Sequence, residues 1–283
     1  MKIDFKKAII LSFKYSTSLR KLPYYFLFQI FTMILMFFPL LNLTDACYSS
    51  RIFENPVPDP QMVDFIVESF GYFFLSIVLV LILSSILTPT FIFNYTQYRN
   101  KKDDTLKHSL IHAKPYFLTV FGAFITMAFL INIIGGILSM IVQVLGTIVS
   151  FMMTLAFIFV IQDIVIRKSS ISNSLSSSYK CTTKNFTAIV TMYLVTTIFS
   201  IIITLFFGIP LIFVLSHSMA PLFGMLGAGM SYSALLTTFA STIRSDIELY
   251  LVSIITLLLG SSISKLFSMA FITETYLQLR AKK

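Results

Sequence analysis

Apolar and polar residues come in blocks along this chain. Runs of some twenty predominantly apolar residues alternate with shorter stretches rich in Lys, Arg, Ser and Asn. A helix that crosses a membrane needs about 20 such residues, and the blocks predict spans at 22–43, 70–93, 117–141, 146–166, 186–215 and 249–273. Only a few residues around Gln143 separate the third span from the fourth, which predicts a tight antiparallel hairpin. Thr88-Pro89 predicts a kink in the second span, its freed carbonyl satisfied by a nearby Ser or Thr, and Gly208 with Pro210 predicts a break in the fifth. Pro56, Pro58 and Pro60, at alternate positions, predict an extended loop within 44–68. His217 is expected in a loop beyond the fifth span.

Charge gives the blocks an orientation. Of the 283 residues, 57% are hydrophobic and only 12% charged, against about a quarter charged in a soluble domain. The chain therefore reads as one polytopic membrane domain, 1–283. Its net charge of +9 is placed unevenly. Lys2, Lys6, Lys7, Lys14, Arg20 and Lys21 precede the first span; Arg99, Lys101, Lys102, Lys107 and Lys114 follow the second. Arg167, Lys168, Lys180 and Lys184 follow the fourth, and Arg280, Lys282 and Lys283 close the chain. The remaining connections hold only Arg51 and Arg244, the first of them within an acid-rich stretch. Bases gather on cytosolic loops, so both termini are expected in the cytosol and the protein in the cell membrane. A seventh span over 219–243 would move the basic tail outside, and six spans fit better. The excess of bases then needs no nucleic acid. Cys47 and Cys181 fall on opposite sides, which excludes a disulfide between them. The first apolar run is too long for a signal peptide and reads as a retained anchor.

The polar blocks also resemble one another. FVIQDIVIRKSSISNSLSSSYKCTTKNF, residues 159–186, aligns with FIFNYTQYRNKKDDTLKHSLIHAKPYF, residues 91–117, and in part with ITETYLQLR, residues 272–280. Arg167 then falls on Arg99 and Phe159 on Phe91. With one inserted residue, Leu175, Tyr179, Thr182 and Phe186 fall on Leu106, Leu110, Ala113 and Phe117. Those offsets keep one helical stripe toward the bilayer, with lysines and serines toward water. The expected unit is a basic amphipathic surface helix followed by a two-span hairpin, used three times. The fold class expected is all-α membrane: six transmembrane helices as three hairpins, each preceded by such a surface helix.

DIVIRKSSISNSLSSSYKCTTKNF (163–186) and the closing TETYLQLR (273–280) resemble the six-helix membrane domains of prokaryotes. That group includes the domain fused to some glycerophosphoryl diester phosphodiesterases and its stand-alone relatives. The resemblance implies an integral membrane protein and brings no functional residues with it. Where the group usually carries a Gly and an Ala-Leu pair in the surface helix, this chain has Ser170 and Ser174-Leu175.

Candidate chemistry is sparse. There is no GxSxG, HExxH or GxxxxGK[ST], so no catalytic residue, cofactor or metal is expected. His108 and His112, four apart, lack a third ligand and read as interfacial polar residues. Asp163 and Lys265 lie inside spans, and Glu274 lies beside the sixth. Buried ionisable groups pair or line a pathway, so an ion pair from Lys265 to Asp163 or Glu274, a titrating transport site, and a snorkelling Lys265 are the three readings. Asn132 and Gln143, with Gly135-Gly136, are expected where helices approach closely and amides bond across them. Tyr24, Tyr25, Tyr95, Tyr98 and Tyr116 read as an interfacial aromatic belt. The serines between Ser169 and Ser178 suit the wet side of a surface helix.

Two functions fit. One is a non-catalytic accessory or scaffold component whose basic helices meet anionic lipid headgroups or other membrane proteins. The other is a small permease or lipid-handling transporter with a central cavity between the three hairpins.

Overall fold

The computed structural model describes residues 3–49, 60–102, 105–227, 242 and 245–280. Arg51, Pro56, Pro58, Arg244, Lys282 and Lys283 lie outside the described residues, as does most of the 219–243 stretch.

Every regular element among the described residues is helical: α1 (Phe5–Ser16), α2 (Leu22–Ser49), α3 (Pro60–Arg99), α4 (Leu106–Ala113), α5 (Phe117–Ile141), α6 (Gln143–Phe157), α7 (Val160–Arg167), α8 (Ile171–Lys184), α9 (Phe186–Gly227) and α10 (Ile247–Arg280). Five described helical stretches are long and apolar enough to cross a membrane: Val67–Arg99, Leu106–Ile141, Gln143–Arg167, Phe186–Ala220 and Ile247–Arg280. The apolar part of α2, Leu22–Phe37, is shorter.

Neighbouring long helices pack in pairs, α2 with α3, α5 with α6 and α9 with α10. Small residues set the closest approaches. Gly135 of α5 faces Gly146 of α6, where an added Cβ would come within 2.6 Å of the Gly135 carbonyl oxygen. Gly260 of α10 lies under Phe207 of α9. Along the same seam Ser264 Oγ donates to Ser200 Oγ at 2.8 Å, and Phe199 stacks on Phe267 with 3.7 Å between ring centroids.

The buried core sits at the end of the molecule that carries the basic segments. There Ala8, Leu155, Phe159, Met192, Phe271 and Tyr276 form one apolar cluster. Ile92, Val120 and Ile164 anchor a second, and Tyr15, Phe91, Tyr95 and Leu266 a third. Elsewhere the long helices expose large apolar side chains such as Phe74, Leu118, Phe206 and Phe213, the surface that lipid would cover.

Several expectations change. The expected break in the fifth span is absent: α9 runs unbroken through Gly208 and Pro210 to Gly227, and α3 likewise continues as helix through Pro89. A proline removes one backbone bond, and long membrane helices tolerate that because neighbouring groups re-satisfy the freed carbonyl. Near Pro89, Ser85 and Thr90 donate to the Leu81 and Ile86 carbonyls, one turn back from each, although the carbonyl that Pro89 itself frees is that of Ser85. His217 is accordingly helical and not in a loop. Pro60 opens α3, where its missing N–H costs nothing, so the described flanks of the predicted loop are helical.

The fourth span breaks where no Pro or Gly stands. Between α6 and α7, Ser178 of α8 enters the ladder: its Oγ donates to the Ala156 carbonyl and accepts from Phe159 N at 3.2 Å. An inserted side chain is a known cause of such interruptions. Thr182 Oγ1 reaches the Leu155 carbonyl at 3.1 Å. Ser174, Ser178 and Thr182, at successive fours, are therefore buried, which corrects the expectation that all the serines face water; Ser170, Ser172 and Ser176 do. Likewise α4 buries Ser109 and Ala113, and α1 buries Ala8, Ser12, Tyr15 and Ser16. These helices lie against protein on their small-residue faces.

Replacing Gly260 by Ala forces Phe207 and its backbone to move, whereas nothing lies within 4 Å of a Cβ at Gly136. Gly260→Ala is expected to lower stability by about 1–3 kcal/mol, the usual cost of overpacking. Gly136→Ala should leave it level or slightly raised, as judged by denaturant midpoints of the purified protein in detergent.

Candidate functional site

The C-terminal ends of α3, α7 and α10 each finish on an arginine, and two carboxylates sit buried among them. Arg99, Arg167 and Arg280 close the three helices. Asp163 lies one helical turn before Arg167, and Glu274 lies within α10, so both point into the core.

Asp163 is 1% exposed. Its Oδ1 accepts from the Tyr276 hydroxyl at 2.5 Å and from Ser177 Oγ at 3.2 Å. Arg167 Nη1 and Arg280 Nη2 each stand 3.4 Å from the same oxygen, and Ser169 Oγ donates to Oδ2 at 2.9 Å. Arg280 also donates to Ser177 Oγ and lies over the Tyr276 ring, 5.6 Å from its centroid. A carboxylate removed from water survives only with paired charge and saturated lone pairs. This one has both.

Glu274 is fully buried. Arg99 Nε stands 2.7 Å from its Oε2, and the Tyr95 hydroxyl donates to the same oxygen at 3.2 Å. Gln278 Nε2 donates to Oε1 at 3.1 Å, while Gln278 Oε1 accepts from the Asp4 backbone N–H at 2.9 Å. Thus Gln278 ties the start of α1 to the last turns of α10. Asp4 in turn caps α1, its Oδ1 accepting from Lys7 N at 2.9 Å.

A third set holds α1 and α4 on α3. The buried Tyr15 hydroxyl lies 3.2 Å from both the Phe91 carbonyl oxygen and Asn94 Oδ1, and Asn94 Nδ2 donates to Ser109 Oγ at 3.0 Å. Lys21 Nζ sits 4.5 Å from the centroids of Tyr15 and Tyr98. Burial, with Tyr95 adding to it, pushes the Tyr15 phenol well above its ordinary pKa, so it stays a neutral donor.

Two cavities open beside this network. The larger, of about 590 Å³, lies between α8 and the ends of α7 and α10, and Arg167, Lys180, Lys184 and Arg280 line it with Asp163. The smaller, of about 310 Å³, lies around Arg99, Asn100, His112 and Lys168.

The predicted candidates separate. Asp163 and Glu274 join the network, but with arginines and tyrosines as partners. Of the three readings of Lys265, the ion pair is not formed: Lys265 lies on the exposed face of α10, and nine residues of helix, about 13 Å of rise, separate it from Glu274. Asn132 is exposed and donates to the Ala128 carbonyl of its own helix, so its amide does not bond across the α5–α6 seam. Gln143 is exposed at the start of α6. Tyr95 belongs to the core, not to an interfacial belt. His108 and His112 place their Nε2 atoms 3.0 Å apart, and among the described residues no group of three His, Cys, Asp or Glu could hold a metal.

Sequence reasoning missed Arg99, Arg167 and Arg280 as the partners. A signal was present: Tyr95–Arg99 and Tyr276–Arg280 share a four-residue spacing, which puts both side chains on one helix face.

A family model described as Domain of unknown function (DUF7847) matches residues 108–279, and the chain belongs to that family. No curated protein and no solved structure matches it.

The burial of the two partners predicts an asymmetry. Arg99→Ala leaves Glu274 buried without a countercharge, at a cost of roughly 3–5 kcal/mol. Glu274→Gln leaves a guanidinium whose side chain is already 29% exposed and can reach water, so the loss is smaller. Denaturant midpoints of the two variants in detergent check this order, and the reverse order contradicts it.

Proposed function

We propose that this member of the DUF7847 family is a six-span protein of the cytoplasmic membrane that acts without catalysis. In this reading it is an accessory or scaffold component whose basic cytosolic face engages anionic lipid and other membrane proteins. One observation carries the proposal: at the basic end two acids, Asp163 and Glu274, point inward while most of the described lysines face outward. Asp163 and Glu274 are buried against three arginines, while Lys6, Lys7, Lys14, Lys107, Lys114, Lys180 and Lys184 are exposed. Such a face attracts anionic headgroups at up to about 1 kcal/mol per base near the surface.

The count of six adds α2 to the five long apolar helices. Its 28 residues extend about 42 Å, beyond the roughly 30 Å of bilayer hydrocarbon. An even count returns both termini to the side where the bases lie. The resemblance to six-helix prokaryotic membrane domains favours the same count. The triple-hairpin unit draws support from two matching helix ends: Arg99 and Arg167 are each followed closely by a left-handed lysine, Lys101 at φ 57° and Lys168 at φ 58°. A permease with a central cavity is the competing function. Both cavities described above are lined from the basic end, which favours the surface-acting reading.

The test is the protein reconstituted in nanodiscs of phosphatidylcholine alone and with phosphatidylglycerol added. Anionic lipid should raise the melting temperature, and high salt should erase most of the gain because exposed charges are screened. A melting temperature indifferent to lipid charge would refute the proposal.

A further inference from the structure

We propose that the cavity between α8 and the inner ends of α7 and α10 is a binding site for a phosphomonoester dianion, free or carried on a lipid headgroup. The soluble form of this claim stands on the cavity alone; the lipid form rests also on the membrane orientation proposed above.

The charge balance is the first argument. Arg167, Lys180, Lys184 and Arg280 line the cavity against one carboxylate, Asp163; four positive charges less one negative leaves three in excess. Among the described residues no carboxylate lies within ion-pair distance of Lys180 or Lys184. They stand one turn apart on α8, so both reach the same volume. Like charges held together around a cavity repel, and a multivalent anion between them relieves that repulsion.

The second argument is unspent hydrogen-bonding capacity. A guanidinium carries five N–H donors. Arg167 and Arg280 each meet Asp163 through a single nitrogen at 3.4 Å, and Arg280 Nε is buried with no acceptor. Asp163 therefore orients two guanidinium forks while leaving donors for a further oxyanion, the arrangement in which arginine binds phosphate bidentately. Because Asp163 is itself held by Tyr276 and two serines, the arginines are ordered before a ligand arrives, which lowers the cost of binding.

The lining also selects the class. Asn173, Ser176, Ser177 and Asn185 offer neutral polar groups, enough to meet the remaining oxygens. Among the described residues no aromatic side chain lines the cavity, so they offer no surface on which a nucleobase would stack. An excess of three positive charges favours a dianion over a singly charged phosphodiester. The smaller cavity is the weaker candidate, because its Arg99 is already neutralised by Glu274 at 2.7 Å.

Cys181 also lines the cavity and supplies a reporter independent of any cellular role. The full chain carrying Cys47→Ser, in phosphatidylcholine nanodiscs, is treated with iodoacetamide at fixed ionic strength. Inorganic phosphate, short-chain phosphatidic acid and short-chain phosphatidylglycerol are titrated separately. Alkylation of Cys181 should slow about tenfold once a phosphomonoester reaches some ten times its Kd. Protection by phosphate alone assigns a soluble ligand, by phosphatidic acid alone a lipid, and by both the shared group; each supports the site. Lys180→Ala with Lys184→Ala should abolish the protection, and Lys6→Ala with Lys7→Ala on α1 should leave it intact. No protection by inorganic phosphate or by phosphatidic acid overturns the proposal, as does equal protection by phosphatidylglycerol. Cys181 protected by phosphate in a chain whose melting ignores lipid charge would refute the proposed function and leave this site standing.

Discussion

Two carboxylates buried at one end of a bundle of long apolar helices dictate much of what surrounds them. An ionised carboxyl removed from water costs several kcal/mol unless it is paired and its lone pairs are filled. Asp163 and Glu274 meet that demand by drawing in the terminal arginines of α3, α7 and α10 and hydroxyls from Tyr95, Tyr276, Ser169 and Ser177. Helices remote in sequence thereby share counter-ions. Hydrophobic attraction between helices is weak in lipid, where the tails are as apolar as leucine. Polar ties and close packing must then do what burial from water does in a soluble core.

The same economy explains the short helices. Surface helices that merely lay on a membrane would turn large apolar residues toward it. Here α1, α4 and α8 turn Ala, Ser and Thr inward, which lets their backbones come close enough for hydroxyls to reach carbonyls of the long helices. Ser178 goes furthest, standing in for a turn of helix between α6 and α7. Asp163 and Glu274 are consumed inside the assembly, and the lysines left outside give the basic face its character.

The long helices were plain in the sequence because their apolar runs outlast any alternative: the third span, 117–141, coincides with α5. Positions of individual polar residues were harder. Asp163 and Glu274 stood out as charges in apolar surroundings, yet Lys265, the obvious partner, points outward, because helix phase and not hydropathy decides which face a residue takes. Gly208 and Pro210 looked like a break, but a single lost backbone bond does not end a long packed helix. The real break, at Ile158 and Phe159, comes from Ser178 twenty residues away and leaves no local mark. The arginine partners left two marks: Asp163-x-x-x-Arg167, an acid one turn before its base, and the Tyr-x-x-x-Arg spacing shared by the ends of α3 and α10.

If α1 and α8 are fastened to the long helices by buried side chains, their backbones cannot open alone. Hydrogen exchange of the protein in nanodiscs measures this residue by residue. The account predicts that amides of 172–182 are protected to the same degree as those of 266–279, since one opening would release both. Amides of α8 that exchange rapidly while the end of α10 stays protected would contradict it.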